Sequence, residues 1–262
     1  MAGASKSAPK RQRLAPDERQ QLILEGAIEY FAEFGFEGGT RELAKHLQIS
    51  QALLFRYFPT KASLVDRVYE VVFLNRWNPS WEHLLIDRTR PLAERLTQFY
   101  KDYNRSIDRY EVIRISLFSA LRNESISQRY VARIRAQLIA PIAVEVRAAL
   151  DVRGGNCGPI LIPLSRPRER EIDDHSTSRA NHYFRREHLG LSATANPAAR
   201  ALDEQLVLSL HATIIYGIMR KHVFHAAPPH DPEFLIELYV DGFMRYADEA
   251  FRRIDAHREG RT

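Results

Sequence analysis

The stretch of sequence that decides the fold is residues 38–58, GGTRELAKHLQISQALLFRYF. Thr40 can cap a short helix with one apolar face, and Ser50 can cap a second short helix. A tight turn around Gln48 separates the two, and the small side chain of Ala44 lets the helices cross closely. Two short helices joined by a turn of about three to four residues predict a helix-turn-helix.

Helices are predicted on both sides of this stretch. Upstream, Pro16 opens a helix with an acidic first turn, and Gly35 is a natural end for it. The predicted apolar face of this helix consists of Ile23, Ala27, Phe31 and Phe34. Downstream, Pro59 ends the second short helix, and Lys61 opens a connecting helix over residues 61–75.

The remainder of the chain shows helical periodicity and no alternation typical of strands, which predicts an all-α fold. The predicted helical stretches are residues 91–107, 111–121, 125–150, 201–225 and 231–257, with a kink at Pro141. Glycine and proline interrupt the pattern over 151–200, so we expect a long, partly disordered loop there.

Composition and charge narrow the function classes. The chain has 262 residues, of which 45% are hydrophobic and 27% charged, as in globular proteins. Its net charge of +5 is too small to establish a nucleic-acid partner. The single cysteine excludes an intramolecular disulfide, and the apolar runs are shorter than the roughly 20 residues of a membrane span. With no apolar segment behind the basic N-terminus, we expect a cytoplasmic protein without a membrane partner.

Sequence signals for metals, cofactors and catalysis are weak. The spacing of four possible ligands matches no common metal site, so no metal or cofactor is expected. These residues are Cys157, His175, His182 and His188. No phosphate-binding, dinucleotide-binding, zinc-protease or hydrolase motif occurs, and the acidic and histidine residues at 173–175 lie in a polar segment. We therefore do not expect an enzyme.

Residues 19–73 resemble the N-terminal module of TetR-family transcriptional regulators. The matching elements are the end of the first helix (31–36), the helix at 40–44, the segment at 50–58 and the entry to the connecting helix at 59–64. Gln48 stands where such proteins usually carry glycine, so we expect a left-handed backbone there. Leu53 and Phe55 lack the hydroxyl groups that the resembling proteins direct at phosphates, and Tyr57 replaces the usual histidine.

The resemblance implies a layout of three parts. A flexible basic arm (1–15) precedes a DNA-binding domain (16–62). A helical ligand-binding and dimerisation domain follows (63–262). The arm is either a solvated tail or a segment that follows DNA.

The resemblance also implies which residues contact an operator of double-stranded DNA. Thr40 and Lys61 would clamp the backbone on either side of the groove, and Tyr57 can donate its hydroxyl to a phosphate. Arg41 can bind guanine and Gln51 can bind adenine. The full set of predicted contacts is Thr40, Arg41, Ser50, Gln51, Ala52, Leu53, Phe55, Arg56, Tyr57 and Lys61.

Each contact also has a plain structural interpretation. Arg41 could form an ion pair with Glu42 or Glu37, and Gln51 could be an ordinary polar residue in a first helical turn. Arg56 could face the backbone or solvent. Only within the helix-turn-helix frame is DNA contact favoured.

The last two helices are apolar around much of their circumference, and each carries a central glycine. They could form the core of one chain, or a four-helix bundle with a second copy as the resemblance implies. Because operators of two half-sites require a symmetric reader, we favour a homodimer. The predicted interface residues are Leu206, Leu210, Ile214, Gly217, Leu235, Leu238, Gly242 and Tyr246.

The resemblance further implies a small-molecule effector bound among the middle helices. Candidate lining residues are Trp77, Trp81, Phe99, Tyr103, Phe118 and Tyr130, although aromatic residues at helical spacing are commonly core. The sequence thus predicts a ligand-responsive regulator, a repressor released by an apolar or aromatic effector. The alternative is a helical architectural or partner-binding DNA protein without an effector.

Overall fold

The computed structural model describes residues 15–122, 125–153, 197–226 and 230–259. Every regular element in these ranges is helical and none is a strand, which confirms the predicted all-α class. The helices are α1 (Pro16–Phe34), α2 (Thr40–His46), α3 (Gln51–Tyr57), α4 (Lys61–Tyr69), α5 (Ser80–Ile86), α6 (Leu92–Ile107), α7 (Tyr110–Leu121), α8 (Ser125–Ile134), α9 (Ala140–Arg153), α10 (Pro197–His222) and α11 (Pro232–Glu259). None of these helices is long and apolar enough to cross a bilayer.

Several predictions fall outside the described residues. They concern the basic arm up to residue 14 and the predicted loop between 154 and 196. The segment 154–196 includes the residues considered above as metal ligands or catalytic groups, namely Cys157, 173–175, His182 and His188.

The chain divides into two compact units. The first comprises the described residues up to Arg76 together with Tyr110–Ile126, and the second comprises Trp77–Arg109 and the described residues from Ser127 onward. The domain boundary proposed at residue 62 stays a prediction.

In the first unit, α1 buries most of the apolar face that its sequence predicts. Ile23, Ala27 and Phe31 are each at most 3% exposed. Phe34 was expected on the same face but is 53% exposed. It lies in the last turn, where its ring contacts His46 of α2 at 5.6 Å between centroids instead of entering the core.

The C-terminus of α1 is fixed by a glycine and by α7. Gly35 has a φ of 72°, which glycine adopts without strain. A Cβ there would lie 3.0 Å from the Phe118 ring. Arg114 donates from Nε to the Ala32 carbonyl at 2.6 Å and from Nη2 to the Glu33 carbonyl at 3.2 Å. These bonds satisfy carbonyls that a helix end leaves without partners.

In the second unit, a π-helical turn spans Arg135–Ile139 and ends two residues before Pro141. The kink expected at Pro141 stays a prediction. A similar turn at Glu70–Leu74 follows α4 in the first unit.

A buried ion cluster holds α9 in the second unit. The Glu145 carboxylate is buried and accepts hydrogen bonds from Arg95 at 3.0 Å and from Arg88 at 2.9 Å. Arg95 also donates to the Leu85 carbonyl at the end of α5. The cluster therefore ties α9 to α5 and α6.

Candidate nucleic-acid interface

The turn between α2 and α3 has the backbone geometry predicted from the sequence. Gln48 has a φ of 55°, which confirms the left-handed conformation. The Ile49 N–H donates to the Ala44 carbonyl at 3.0 Å, a bond typical of helix ends that pass through such a residue. Leu43 of α2 and Leu54 of α3 are buried on the inner side. The two short helices therefore form a helix-turn-helix.

One of the two predicted helix caps is confirmed and the other is wrong. The Ser50 hydroxyl accepts a hydrogen bond from the Leu53 N–H at 3.1 Å and caps α3 as expected. The N-cap of α2 is Gly39, and Thr40 is the first helical residue. The reason is that Glu42 reaches back and accepts from the Gly39 N–H at 3.2 Å, so the helix begins without the Thr40 hydroxyl.

The Thr40 hydroxyl instead joins the starts of α2 and α3. The Gln51 side-chain amide donates from Nε2 to Thr40 Oγ1 at 3.0 Å. Arg41 follows Thr40 and is exposed. Three of the predicted contact residues thus lie together where the two helices begin.

Helix α3 has one exposed face made of chemically different side chains. Gln51, Ala52, Phe55 and Arg56 are exposed and recur with the helical period. They offer an amide, a methyl group, an aromatic ring and a guanidinium, all groups that can contact base edges. The neighbouring positions are half-buried at Leu53 and Tyr57 and buried at Leu54 and Phe58.

Lys61 has a structural contact that the sequence did not predict. The side chain is half-buried, and its Nζ donates to the Phe36 carbonyl at 2.6 Å. Helix α4 begins here, with the Thr60 hydroxyl accepting from the Ser63 N–H at 3.0 Å. Since an ammonium carries three hydrogens, Lys61 can hold the segment after α1 and still donate to a phosphate.

Acidic side chains of α1 line a separate groove in the first unit. The groove has a volume of about 580 Å³, and Glu25, Glu29 and Glu33 contribute to its walls. None of these residues lies on the exposed face of α3. The carboxylates of the groove therefore disfavour a polyanion there. Helix α3 carries no carboxylate, so its exposed face does not repel a polyanion in this way.

In the second unit, five of the six residues predicted to bind an effector form an aromatic cluster. Its ring centroids lie 5.3 Å apart for Trp77 and Trp81, 5.6 Å for Trp81 and Phe99, and 5.5 Å for Phe99 and Tyr103. The Tyr103 and Tyr130 hydroxyls are 2.9 Å apart. Burial raises the pKa of Tyr103 well above its ordinary value, and Tyr130 adds to the shift. The sixth predicted residue, Phe118, lies in the first unit.

Sequence analysis missed two buried residues beside this cluster. The His211 ring lies 5.6 Å from Tyr103 and 6.1 Å from Tyr100. Among the described residues, His211 Nδ1, the Tyr100 hydroxyl and Trp81 Nε1 have no hydrogen-bond partner. Burial lowers the pKa of His211 to about 4 and raises that of Tyr100. The signal available in the sequence was a histidine, His211, placed among apolar residues in the middle of α10.

The predicted dimer residues fall into three groups in the single chain. Leu210 and Ile214 are buried; Leu206, Gly217 and Leu235 are half-buried; Leu238, Gly242 and Tyr246 are exposed. Nothing lies within 4 Å of a Cβ built on Gly242. Other exposed apolar side chains on α10 and α11 include Leu202, Tyr216 and Phe234.

No group of three or more acidic, histidine or cysteine side chains suited to a metal ion occurs in the described parts of the chain.

Comparison with known proteins points to the helix-turn-helix segment. Residues 23–68 match the profile of the family described as bacterial regulatory proteins, tetR family. The HTH-type transcriptional regulator LuxR of Vibrio harveyi is 46% identical over 59 residues, which is 22% of this chain and 29% of LuxR. The chain thus spans less than a third of that relative's length.

Solved structures similar over most of the chain have low sequence identity. A TetR-family regulator from Pseudomonas syringae pv. tomato DC3000 is 16% identical with a TM-score of 0.49, covering 89% of this chain and 97% of that one. A tetR-family regulator from Streptomyces coelicolor is 17% identical with a TM-score of 0.46, covering 93% and 90%.

Proposed function

Because residues 23–68 form a TetR-type helix-turn-helix module, we propose that this chain is a sequence-specific DNA-binding transcriptional regulator. The observation that carries the proposal is the exposed face of α3, whose first residue, Gln51, is bonded to Thr40 at the start of α2. A helix of this kind fits the major groove, where every base pair presents a distinct pattern of donors and acceptors.

In the proposed complex, base contacts and phosphate contacts come from different residues. Gln51 pairs with adenine, while Arg41 and Arg56 can pair with guanine. Lys61, Tyr57 and the N–H groups at the start of α3 contact phosphates and set the register. Five predicted contacts remain. Thr40 is the first residue of α2, and the other four lie on α3 or at its N-cap, namely Ser50, Ala52, Leu53 and Phe55.

The proposed active species is a symmetric dimer formed through α10 and α11. These helices expose four large apolar side chains, and exposed apolar surface of this extent is typical of association sites. They are Tyr216, Phe234, Leu238 and Tyr246. Gly242 on α11 leaves space for the close approach of a helix from the second copy. Two copies related by a two-fold axis would read two half-sites about one helical turn, or a multiple of it, apart.

We also propose that a small apolar or aromatic effector binds at the aromatic cluster and releases the protein from DNA. The support is the group of buried polar atoms without partners beside the rings, since such atoms lose free energy unless something bonds to them. An effector that binds one arrangement of the helices more tightly by about 1–3 kcal/mol would change DNA affinity by about 5- to 150-fold. The regulator would then act as a repressor.

The test is selection of duplexes from a random library by the full chain. We expect a two-fold symmetric site whose affinity falls steeply with salt. Gln51→Ala should relax one base position in each half-site, and Gln21→Ala, at an exposed glutamine of α1, should not. Binding without sequence preference, or no binding, would contradict the proposal.

The second candidate is a DNA-binding architectural protein without an effector. The tight packing of the aromatic cluster favours it, because Phe99 and Tyr103 are buried as in an ordinary core. Screening aromatic compounds against the selected complex separates the candidates. Release by one compound class supports the regulator, and insensitivity throughout supports the architectural protein.

A further inference from the structure

We infer that Thr40 is a positioning residue for base reading, because its hydroxyl oxygen orients the Gln51 amide toward an adenine. The inference rests on the proposed DNA binding and assigns a role to one hydrogen bond within that interface. Thr40 Oγ1 and Gln51 Nε2 are 3.0 Å apart, although the two residues are 11 positions apart in the chain. The bond crosses the turn of the helix-turn-helix.

The bond restricts a side chain that would otherwise rotate. An exposed glutamine samples many rotamers, and fixing it on DNA costs conformational entropy. Thr40 is itself well fixed, since a β-branched side chain has few χ1 states and the start of α2 is held by the Glu42 bond to Gly39. Gln51 is therefore partly ordered before DNA arrives, which reduces the cost of binding.

The remaining hydrogen-bonding groups match adenine. A glutamine amide has two N–H hydrogens and one carbonyl oxygen. With one hydrogen bonded to Thr40, the second hydrogen and the oxygen of Gln51 remain for N7 and the N6 amino group of adenine. Guanine presents two acceptors at the same edge, so an amide held in this orientation disfavours it.

This role differs measurably from the backbone clamp that the resemblance implies. A threonine that only contacts a phosphate contributes equally to every sequence. A threonine that orients Gln51 contributes to duplexes with adenine at one position. The Thr40 hydroxyl hydrogen remains available to a phosphate, so the bond can also link backbone docking to base reading.

The experiment uses the full chain and the duplexes that it selects, at one fixed salt concentration. The position read by Gln51 is the one whose preference disappears in Gln51→Ala. Thr40→Val keeps the shape of threonine without the hydroxyl, and Thr40→Ser keeps the hydroxyl. We expect Thr40→Val to lower the preference for adenine at that position by about 3- to 10-fold, and Thr40→Ser to retain it. In the Gln51→Ala background, Thr40→Val should cause no further loss of preference.

Three results would overturn the inference. They are a Thr40→Val protein with unchanged preference, one that binds every duplex more weakly by the same factor, and a Gln51→Ala protein that loses no preference anywhere. If Thr40→Val melts early, Thr40→Ala serves as the second variant under the same criteria. A wild-type chain that selects no duplex contradicts the proposed function itself, so the two failures are distinguishable.

Discussion

Phe55 on α3 and Phe99 in the aromatic cluster are the same residue type in opposite surroundings. Phe55 is 37% exposed and lies on the exposed face of α3. Phe99 is fully buried, with three other rings within 5.6 Å. The difference shows that aromatic side chains at helical spacing can have two structural roles. On α3 they are available to a partner, and in the second unit they first of all hold the fold together.

The largest expected effect separates these two phenylalanines directly. Phe99→Ala should lower the free energy of unfolding by about 3–5 kcal/mol, because it removes a large side chain from a packed core. Phe55→Ala should lower it by only about 1 kcal/mol, because more than a third of this side chain is already in water. Urea unfolding followed by circular dichroism measures both. Similar losses in the two variants would erase the distinction.

A comparable effect is expected at the buried ion cluster. Glu145→Ala leaves Arg95 charged and buried without its carboxylate, which should cost about 3–5 kcal/mol. The control is Glu94→Ala, whose partner Arg90 is exposed, and which should cost less than about 1 kcal/mol. The same unfolding assay applies. A loss at Glu94 as large as that at Glu145 would show that burial is not the cause.

His211, beside the aromatic cluster, should also make the stability of the chain depend on pH. The pKa of His211 falls to about 4 in the folded chain and rises to its ordinary value of about 6.5 on unfolding. The unfolded state therefore binds the extra proton as pH falls below about 6.5, and stability declines until about pH 4. Between pH 7 and pH 5 the loss should be about 2 kcal/mol.

The check on this pH dependence is His211→Gln. We expect a flatter dependence of the unfolding free energy over pH 5–7 in this variant. A wild-type slope in His211→Gln would assign the effect to other groups.

The smallest effect is expected at Lys61. This residue lies in the module of residues 23–68, and its ammonium donates a hydrogen bond to the Phe36 carbonyl. Lys61→Ala should weaken binding to all DNA sequences alike and reduce the salt slope by about 0.9 per subunit contact. Lys45→Ala removes one exposed charge from the same module and serves as the control. Equal changes in slope for the two variants would indicate a general charge effect instead of a phosphate contact.

Local geometry of the helix-turn-helix was predictable because short-range chemistry decides it. The Ser50 cap follows from residues within a few positions of it, and the left-handed Gln48 follows from the glycine that the resembling family usually carries there. The cap of α2 was mispredicted because the sequence is compatible with two helix starts. The Thr40 hydroxyl could cap a helix that begins at the next residue, whereas the bond from the Gly39 N–H to Glu42 begins the helix at Thr40. The bond from Lys61 to the Phe36 carbonyl joins distant positions, so no local pattern could indicate it.

The faces of the long helices were harder to predict. Helix α10 carries apolar residues around much of its circumference, so periodicity could not separate the residues buried in one chain from those facing outward. In the structure, Leu210 and Ile214 are buried, whereas Leu202 and Tyr216 on the same helix are exposed. Phe118 was grouped with the cluster because it is aromatic and lies on one of the middle helices, but it belongs to the other unit.

The exposed apolar side chains of α10 and α11 have a consequence for the newly made chain. In the single chain, Tyr216, Leu238 and Tyr246 each leave more than half of their surface in water. Exposed apolar surface of this kind favours nonspecific association. The proposed pairing of two copies would cover it and so protect the chain from aggregation.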